Sequence, residues 1–458
     1  MLFRQFKVEG LGCYSYLIGC PRAGVAFVVD PERHVNQYLR AAEQQGVRIT
    51  HVFDTHLHAD HISGAVELAD KVGADVYVHP KVEAQYPHKN VKEGDRFTLG
   101  VAEIEVIETP GHTPNSVSIA VADTSRASET MLLLTGDLLF VGDVGRPDLT
   151  GEDLLEQQVQ GLYNSLYTTL SRFPDWTEVY PAHGEGSLCG KGMSSKPMTT
   201  LGFERKHNPL LNEMPFDEFR RTMMAGFQVR PMGFTQIVVA NQAGPAGLSS
   251  LREVRRLSMG EIEKLQSQGA TLIDVRHATA FGASFIPASI NIGLTPQSAT
   301  WLGMVVETNR NLVIVCDSEA DSRVAIDQFR RVGFDNIIGF FDGGVSAWAA
   351  SARLLDHLPQ LSVQSLEHVL EKYPDHIVLD VRTEQEWERG HIEKAIHKPI
   401  ADLVREGIDF GNKQQHITAI CGSGYRSNIA GSFLKSKGYE QVFSVIGGMT
   451  AWERMHRS

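Results

Sequence analysis

The chain has 458 residues, 42% of them hydrophobic, with a formal net charge of -12, and it is too long for one ordinary core, so about two to four domains are expected. The acidic balance excludes non-specific nucleic-acid binding and a cationic membrane-surface face; no apolar run is long enough to cross a bilayer, and a cytoplasmic location is the default expectation. Five cysteines, odd in number and far apart, make no disulfide framework and are read one at a time as thiols.

From Phe3 the pattern is strand, turn, strand: Cys13 to Ile18, then Val25 to Asp30. Cys13 and Cys20 lie in or beside these strands and read as small buried or turn residues. Helical spacing from Asn36 to Gln45 precedes Gly46, and a short apolar run, Ile49 to Phe53, reads as a buried strand ending at Asp54. Directly after it comes Thr55-His56-Leu57-His58-Ala59-Asp60-His61. Crowding three imidazoles and a carboxylate together is costly unless a cation holds them. A strand end feeding a tight turn lets His56 and His58 reach one metal, with Asp60 and His61 facing its neighbourhood.

Ala65 to Val72 then reads as a helix covering the sheet and Val76 to Val78 as a strand, with His79 structural. Strands at Glu103 to Glu108, Ser116 to Ala122 and Met131 to Thr135 alternate with turns that carry His112 and Asp137 at their tips, and His183 follows in Tyr180-Pro181-Ala182-His183-Gly184. Such alternation suits two packed sheets flanked by helices, with the site along one edge. The glycine-rich stretch Gly186 to Met193 should bring the Cys189 thiol near the metal, and Lys191, Lys196, Arg205 and Lys206 form a candidate cradle for an anionic thiol carrier. Asn241 to Gly247 reads as a linker that closes the first domain.

An internal repeat fills the rest. Leu272-Ile273-Asp274-Val275-Arg276 recurs as Val378-Leu379-Asp380-Val381-Arg382, Val315-Cys316 as Ile420-Cys421, and Gly343-Gly344 with Trp348 as Gly447-Gly448 with Trp452. In the last copy Ile417 to Ile420 delivers Cys421 into Gly422-Ser423-Gly424-Tyr425-Arg426-Ser427, ahead of a helix over Asn428 to Lys435. Glycines let such a loop curl so that backbone N–H groups and the helix N-terminus surround an anionic sulfur, with Arg426 adding positive charge. The middle copy has Cys316-Asp317-Ser318-Glu319-Ala320-Asp321-Ser322-Arg323. Its loop is longer, lacks glycine and carries carboxylates where an anion should sit, so a structural or docking role is expected for it.

The motif at His56 to His61, with His112, Asp137 and His183, resembles the metallo-β-lactamase superfamily up to about residue 245, and both later copies resemble rhodanese domains. The fold class implied is α/β multidomain: an N-terminal αββα metallo-β-lactamase sandwich over 1–245, a degenerate rhodanese-like domain over 255–355 and an active rhodanese domain over 361–458. The ligand series by itself fits either two metals bridged by Asp137 for hydrolysis, as in glyoxalase II-like thioesterases, or one iron, as in persulfide dioxygenases. The latter resemblance implies one Fe(2+) per chain on His56, His112 and Asp137, with His58, Asp60, His61 and His183 outside its ligand set; zinc is the alternative. The fusion favours the dioxygenase, because sulfite from R–S–SH can be sulfurated to thiosulfate by a persulfide on Cys421. Gly145-Arg146-Pro147-Asp148 and Cys189-Gly190-Lys191 add to the similarity to bacterial three-domain persulfide dioxygenase-sulfurtransferases of sulfide detoxification. That resemblance implies Cys421, Arg426 and Cys189 as catalytic residues, and Arg146, Lys191, Gly422, Ser423, Gly424 and Tyr425 as substrate-binding ones. Small-molecule persulfides, O2 and sulfite are the expected partners, without nucleic acid or membrane, and the expected state is a homo-oligomer, dimer or tetramer. A zinc thioesterase with rhodanese appendages and a non-catalytic sulfur-relay scaffold are the alternatives.

Overall fold

The computed structural model describes residues 1–8, 10–190, 192–212, 214–225 and 231–457; Lys191 lies outside them. They form two compact units, one carrying two six-stranded sheets and the other two five-stranded sheets. In the first unit one sheet runs in the order Leu2–Val8, Cys13–Cys20, Val25–Val29, Arg48–Phe53, Asp75–Val78, Lys89–Asn90. The other runs Thr199–Thr200, Glu178–Pro181, Leu132–Gly136, Val117–Asp123, Ala102–Glu108, Arg96–Leu99.

The two sheets face each other because alternate side chains of each strand go to opposite faces. In Cys13–Cys20, Tyr14, Tyr16 and Ile18 enter the shared core with Phe27, Phe53, Ile104, Val106, Ile119 and Leu134, whereas Leu17 turns outward under the helices. Outside one sheet, Asn36–Gln44 and Ala65–Val72 bury Tyr38, Ala41 and Leu68 against Val28 and Val52; outside the other, Leu155–Asn164 buries Val159 and Leu162 against Leu133 and Val179. This is the αββα sandwich expected from the alternation. Each fully buried aromatic or aliphatic side chain in it contributes about 1.5–3 kcal/mol of burial free energy.

The stretch read as a linker begins differently. Helix Gly233–Ala243 runs through Asn241, which is buried. Its Nδ2 donates to the carbonyls of His58 and His61 (2.9 Å each), and its Oδ1 accepts from Ser63 N (2.9 Å). Polar composition suggested a loop, but the amide is a clamp on the histidine turn.

In the second unit the two copies repeat one parallel sheet. The orders are Arg255–Arg256, Ile337–Phe341, Leu312–Val315, Thr271–Asp274, Ile290–Asn291 and, correspondingly, Gln360–Leu361, Val442–Val445, Ile417–Ile420, Ile377–Asp380, Ile396–His397. The recurring Asp-x-Arg is a buried fork: Asp274 takes Arg276 and Asp380 takes Arg382, with Nη2–Oδ2 distances of 2.6 and 2.7 Å. Each guanidinium also reaches a carbonyl, Ser284 O or Gly390 O. The motif therefore ties a strand end to the next segment. No helix among the described residues is long and apolar enough to cross a membrane.

Candidate functional site

The turn after Arg48–Phe53 is tied down before any side chain reaches the centre. Asp30 Oδ1 accepts from Thr55 N (2.7 Å) and Asn115 Oδ1 from Leu57 N (2.9 Å). Thr55 Oγ1 donates to Asp30 Oδ2 (2.9 Å), so it accepts from His56 Nδ1 at 3.0 Å; His112 Nδ1 donates to the carbonyl of Arg146 (2.8 Å). Both imidazoles are thereby set in the tautomer whose Nε2 lone pair is free. These lone pairs face Asp137 Oδ2, at 3.8 Å from His56 and 3.4 Å from His112.

Neither separation is a hydrogen bond, and Asp137 Oδ2 is a buried oxygen without a partner. Burial pushes both imidazoles below their ordinary pKa, most strongly at His56, so both are neutral. Burial opposes ionisation of Asp137, but His183, His56 and His112 outweigh it and hold the carboxyl below its usual range. Two neutral imidazoles and one carboxylate, converging within 4.8 Å of one another, fit a divalent cation: each atom that would otherwise be stranded becomes a ligand.

The strand-end geometry lets His56 and His58 reach one metal; His58 Nε2 is taken by Asp30 Oδ1 at 3.2 Å, in a buried group with Asp54, while His58 Nδ1 is buried without a partner. A second cluster gathers Cys13, Asp60, His61 and His183. His183 is gripped from both sides, Nδ1 to Asp137 Oδ1 (2.6 Å) and Nε2 to Asp60 Oδ2 (2.8 Å). His61 Nδ1 lies 3.1 Å from Asp60 Oδ1. Cys13 Sγ donates to Asp60 Oδ2 at 3.3 Å. Burial disfavours protonation of His61 and His183, yet the facing carboxylates win and raise both above their ordinary values. Cys13 was missed in sequence because its partners lie dozens of residues away; a cysteine opening a strand carries no local sign of this.

Cys189 sits where its loop position suggested, with Sγ within 4.8 Å of ligand atoms of Asp137 and His183. Burial first, and then Asp137, push its thiol up to about 12, so it is a protonated thiol against an apolar wall of Phe140, Leu149 and Phe234. Arg146, expected to meet substrate, is buried and bonded to Asp148 (Nε–Oδ1 2.7 Å). A guanidinium at that depth needs a counter-ion, and what it gives the site is its carbonyl, which aims His112. In the expected basic cradle, Arg205 is likewise committed to Asp175 and to the carbonyls of Leu170 and Phe173, leaving Lys196 and Lys206 exposed.

Gly145 shows how tight the ligand cage is. A β-carbon there would lie 1.8 Å from the Asp137 carbonyl oxygen and 3.2 Å from His112 Cβ, and a backbone atom cannot step aside cheaply. Gly145→Ala should therefore lower metal retention and any activity that depends on the metal by at least about tenfold, while leaving reactions of Cys421 untouched. Metal content by mass spectrometry beside a Cys421 persulfidation assay checks both halves.

The last copy's cysteine loop is held by the glycine pair that follows it. Cys421, Gly422 and Ser423 carbonyls accept from Met449, Thr450 and Gly447 N; a β-carbon on Gly448, at φ 53°, would lie 2.2 Å from Cys421 O. The loop turns at Gly424, φ 109°, whose N–H donates to Cys421 Sγ at 3.1 Å, and the helix starts at once, as Tyr425–Ser436. Two expectations need correction. Arg426 is not free to hold an anion alone: both terminal nitrogens bond Glu386 at 2.6 Å, because a half-buried guanidinium keeps its counter-ion. Tyr425 turns its hydroxyl to the Gly293 carbonyl (2.8 Å), and Ser423 is exposed.

That ion pair has a pH signature. Burial opposes ionisation of Glu386, but Arg426 overcomes it and lowers the carboxyl to about 2, so its stabilisation is present above about pH 4.5, the ordinary carboxyl value, and is lost as pH falls through about 2. Glu386→Gln should flatten the acid limb of the melting profile between those values. Parallel acid limbs for wild type and variant would show that the pair adds nothing.

The middle copy differs chemically as expected, with one change of cause. Cys316 is fully buried, its thiol donates to Phe341 O (3.6 Å), and burial first, then Asp342 and Asp321, raise it to about 12. Asp342, from outside the loop, contributes more than Asp321 within it. Arg323 pairs with Glu319 along its own helix (2.6 Å).

The family model for the metallo-beta-lactamase superfamily matches residues 8–183, and that for the rhodanese-like domain matches residues 258–351 and 362–455. The crystal structure of a metallo-beta-lactamase from Staphylococcus aureus subsp. aureus COL is similar, 28% identical with a TM-score of 0.67, over 74% of this chain and 98% of that one. The persulfide dioxygenase ETHE1 of Bos taurus is 27% identical over 224 residues, 49% of this chain and 80% of the relative. The hydroxyacylglutathione hydrolase of Polaromonas sp. (strain JS666) is 34% identical over 173 residues, and the chain spans only 61% of that relative's length. This chain therefore belongs to the metallo-beta-lactamase superfamily in its first part and carries two rhodanese-like domains after it.

Proposed function

We propose that this protein oxidises low-molecular-weight persulfides with O2 to sulfite and converts that sulfite to thiosulfate with sulfur carried on Cys421. The observation that carries the first half is the convergence of His56, His112 and the unpartnered Asp137 Oδ2, three ligands on one side of an ion, with similarity to a persulfide dioxygenase in support. Iron(II) held by those three would supply the coordination positions and electrons that let triplet dioxygen react with a closed-shell persulfide. The balance is R–S–SH + O2 + H2O giving R–SH, sulfite and two protons.

The chain's own part is to aim and to keep dry. The Arg146 carbonyl and Thr55 hold the two imidazoles, and Phe140, Leu149 and Phe234 exclude water from one side. The four groups of the second cluster largely satisfy one another, which favours a single ion. At Cys421 the thiolate takes the outer sulfur of a second persulfide and R–S⁻ leaves; sulfite then attacks that outer sulfur, the Cys421 S–S bond breaks, and thiosulfate departs with the thiolate restored. The Gly424 N–H steadies the anionic sulfur throughout.

A second reading has its own support: His58 Nδ1 and His61 Nε2 are also buried and unpartnered, as further ligand atoms would be, and one relative carries the name of a hydrolase. Oxygen uptake by iron-reconstituted protein on adding glutathione persulfide, with sulfite and thiosulfate quantified, decides between them. Uptake with thiosulfate as main product is the expected result. A full iron complement without uptake, together with hydrolysis of a glutathione thioester by the zinc form, would overturn it.

A further inference from the structure

The middle copy cannot easily carry sulfur, yet its sheet edge holds the helix that closes the carrier loop of the last copy. Tyr425, Asn428 and Ser432 fall at i, i+3 and i+7 of helix Tyr425–Ser436, one face of it. Tyr425 Oη donates to Gly293 O (2.8 Å), Asn428 Nδ2 to Asn291 Oδ1 (2.6 Å), and Asn291 N to Ser432 Oγ (3.0 Å). Asn291 in turn donates through Nδ2 to the carbonyls of Asp274 and Arg276 (2.9 Å each), and Asn428 Oδ1 accepts from Gln360 (2.8 Å).

Asn291, Asn428 and Ser432 are all buried. A buried amide pair is costly unless every bond is made, so it admits one register and resists sliding. Tyr425 is also a wall of the middle copy's own cavity of about 250 Å³, beside Cys316, Asp317 and Asp321. The start of the helix in one copy thus forms part of the pocket wall of the other. The first residue of this helix follows Gly424, the residue whose N–H meets the Cys421 sulfur, so the register of the helix sets the position of that N–H.

We propose that the middle copy is a positioning device: Asn291 and the Gly293 carbonyl hold Asn428 and Tyr425, and through them the Gly424 N–H, in the geometry that sulfur transfer at Cys421 requires. Asn291 and Tyr425 are positioning residues that touch no reacting atom. The inference rests on the reading of Cys421 as sulfur carrier. Misplacing such a donor by a fraction of an ångström weakens the anionic sulfur's hydrogen bond without removing the nucleophile.

The test uses the full-length protein with Asn291→Ala and, as the conservative change that keeps the ring, Tyr425→Phe. Glutathione persulfide is added, sulfur on Cys421 is counted per chain by intact mass, and its discharge to sulfite is followed in single turnover. We expect both variants to load one sulfur per chain, as wild type does, with the discharge rate constant lowered about tenfold and the half-saturating sulfite concentration little changed; oxygen uptake of Asn291→Ala stays at the wild-type level. Wild-type rate constants in both variants overturn the proposal. So does a loss confined to the fraction of chains that load, which is what a purely structural contact gives. If wild-type Cys421 takes up no sulfur, the carrier reading fails and the positioning role falls with it; if it does take up sulfur, the variants test positioning alone.

Discussion

Asp137→Ala should empty the metal centre and lower oxygen uptake at least about a hundredfold, while sulfur loading on Cys421 stays at the wild-type level. The carboxylate has two duties in different directions. Oδ2 faces His56 and His112, where it would complete a set of three ligands, and Oδ1 accepts from His183 at 2.6 Å. Removing it deletes the one negative ligand and leaves neutral imidazoles to hold a dication, which two such groups do weakly. It also frees one side of His183, whose raised protonation depends on Asp137 first among the carboxylates around it. Asp60→Ala is the contrast: on the single-ion reading it retains the metal, because Asp60 bonds His61, His183 and Cys13 and lies outside the His56 group. Inductively coupled plasma mass spectrometry beside an oxygen electrode reads both variants. Equal loss of metal from both would mean that the two clusters act as one dinuclear centre.

The sequence signals that served best were periodic or repeated. Apolar runs located the inner strands of both six-stranded sheets but not Leu2–Val8, Lys89–Asn90, Arg96–Leu99 or Thr199–Thr200, and the doubled Asp-Val-Arg, cysteine and Gly-Gly segments exposed the two equivalent parallel sheets. Strand-to-loop positions gathered His56, His58, His112, Asp137 and His183 as candidates, and it was the resemblance to persulfide dioxygenases, not spacing, that separated His56, His112 and Asp137 from the rest. What escaped was direction. Nothing in His56-Leu57-His58 says that the second imidazole turns to Asp30, because the partner is set by pairing between Val25–Val29 and Arg48–Phe53. Arg146 and Arg426 looked like anion-holding groups, and only folding shows Asp148 and Glu386 in front of them. A charged residue's partner is a tertiary fact, and so is the burial that brings Cys13 to Asp60. Asn241 was the converse error: a polar, glycine-flanked stretch reads as linker, while the amide closes bonds that the histidine turn leaves open.

Cys421→Ser should abolish thiosulfate formation, by more than about a hundredfold, with oxygen uptake largely intact and sulfite as the accumulating product. The substitution is conservative in shape. Its hydroxyl can still accept from Gly424 N–H, and the loop carbonyls stay bonded to Gly447, Met449 and Thr450, so the fold has no reason to change. What is lost is the chemistry: an alkoxide forms no stable bond to sulfane sulfur at neutral pH, whereas a thiolate does. The middle copy offers no substitute, because Cys316 is buried, its thiol raised to about 12 and given to a backbone carbonyl. Cys316→Ser should accordingly leave thiosulfate formation near the wild-type level. If Cys421→Ser stopped oxygen uptake as well, oxidation and sulfur transfer could not be separate steps on separate sites, and the persulfide would have to pass through Cys421 before it is oxidised.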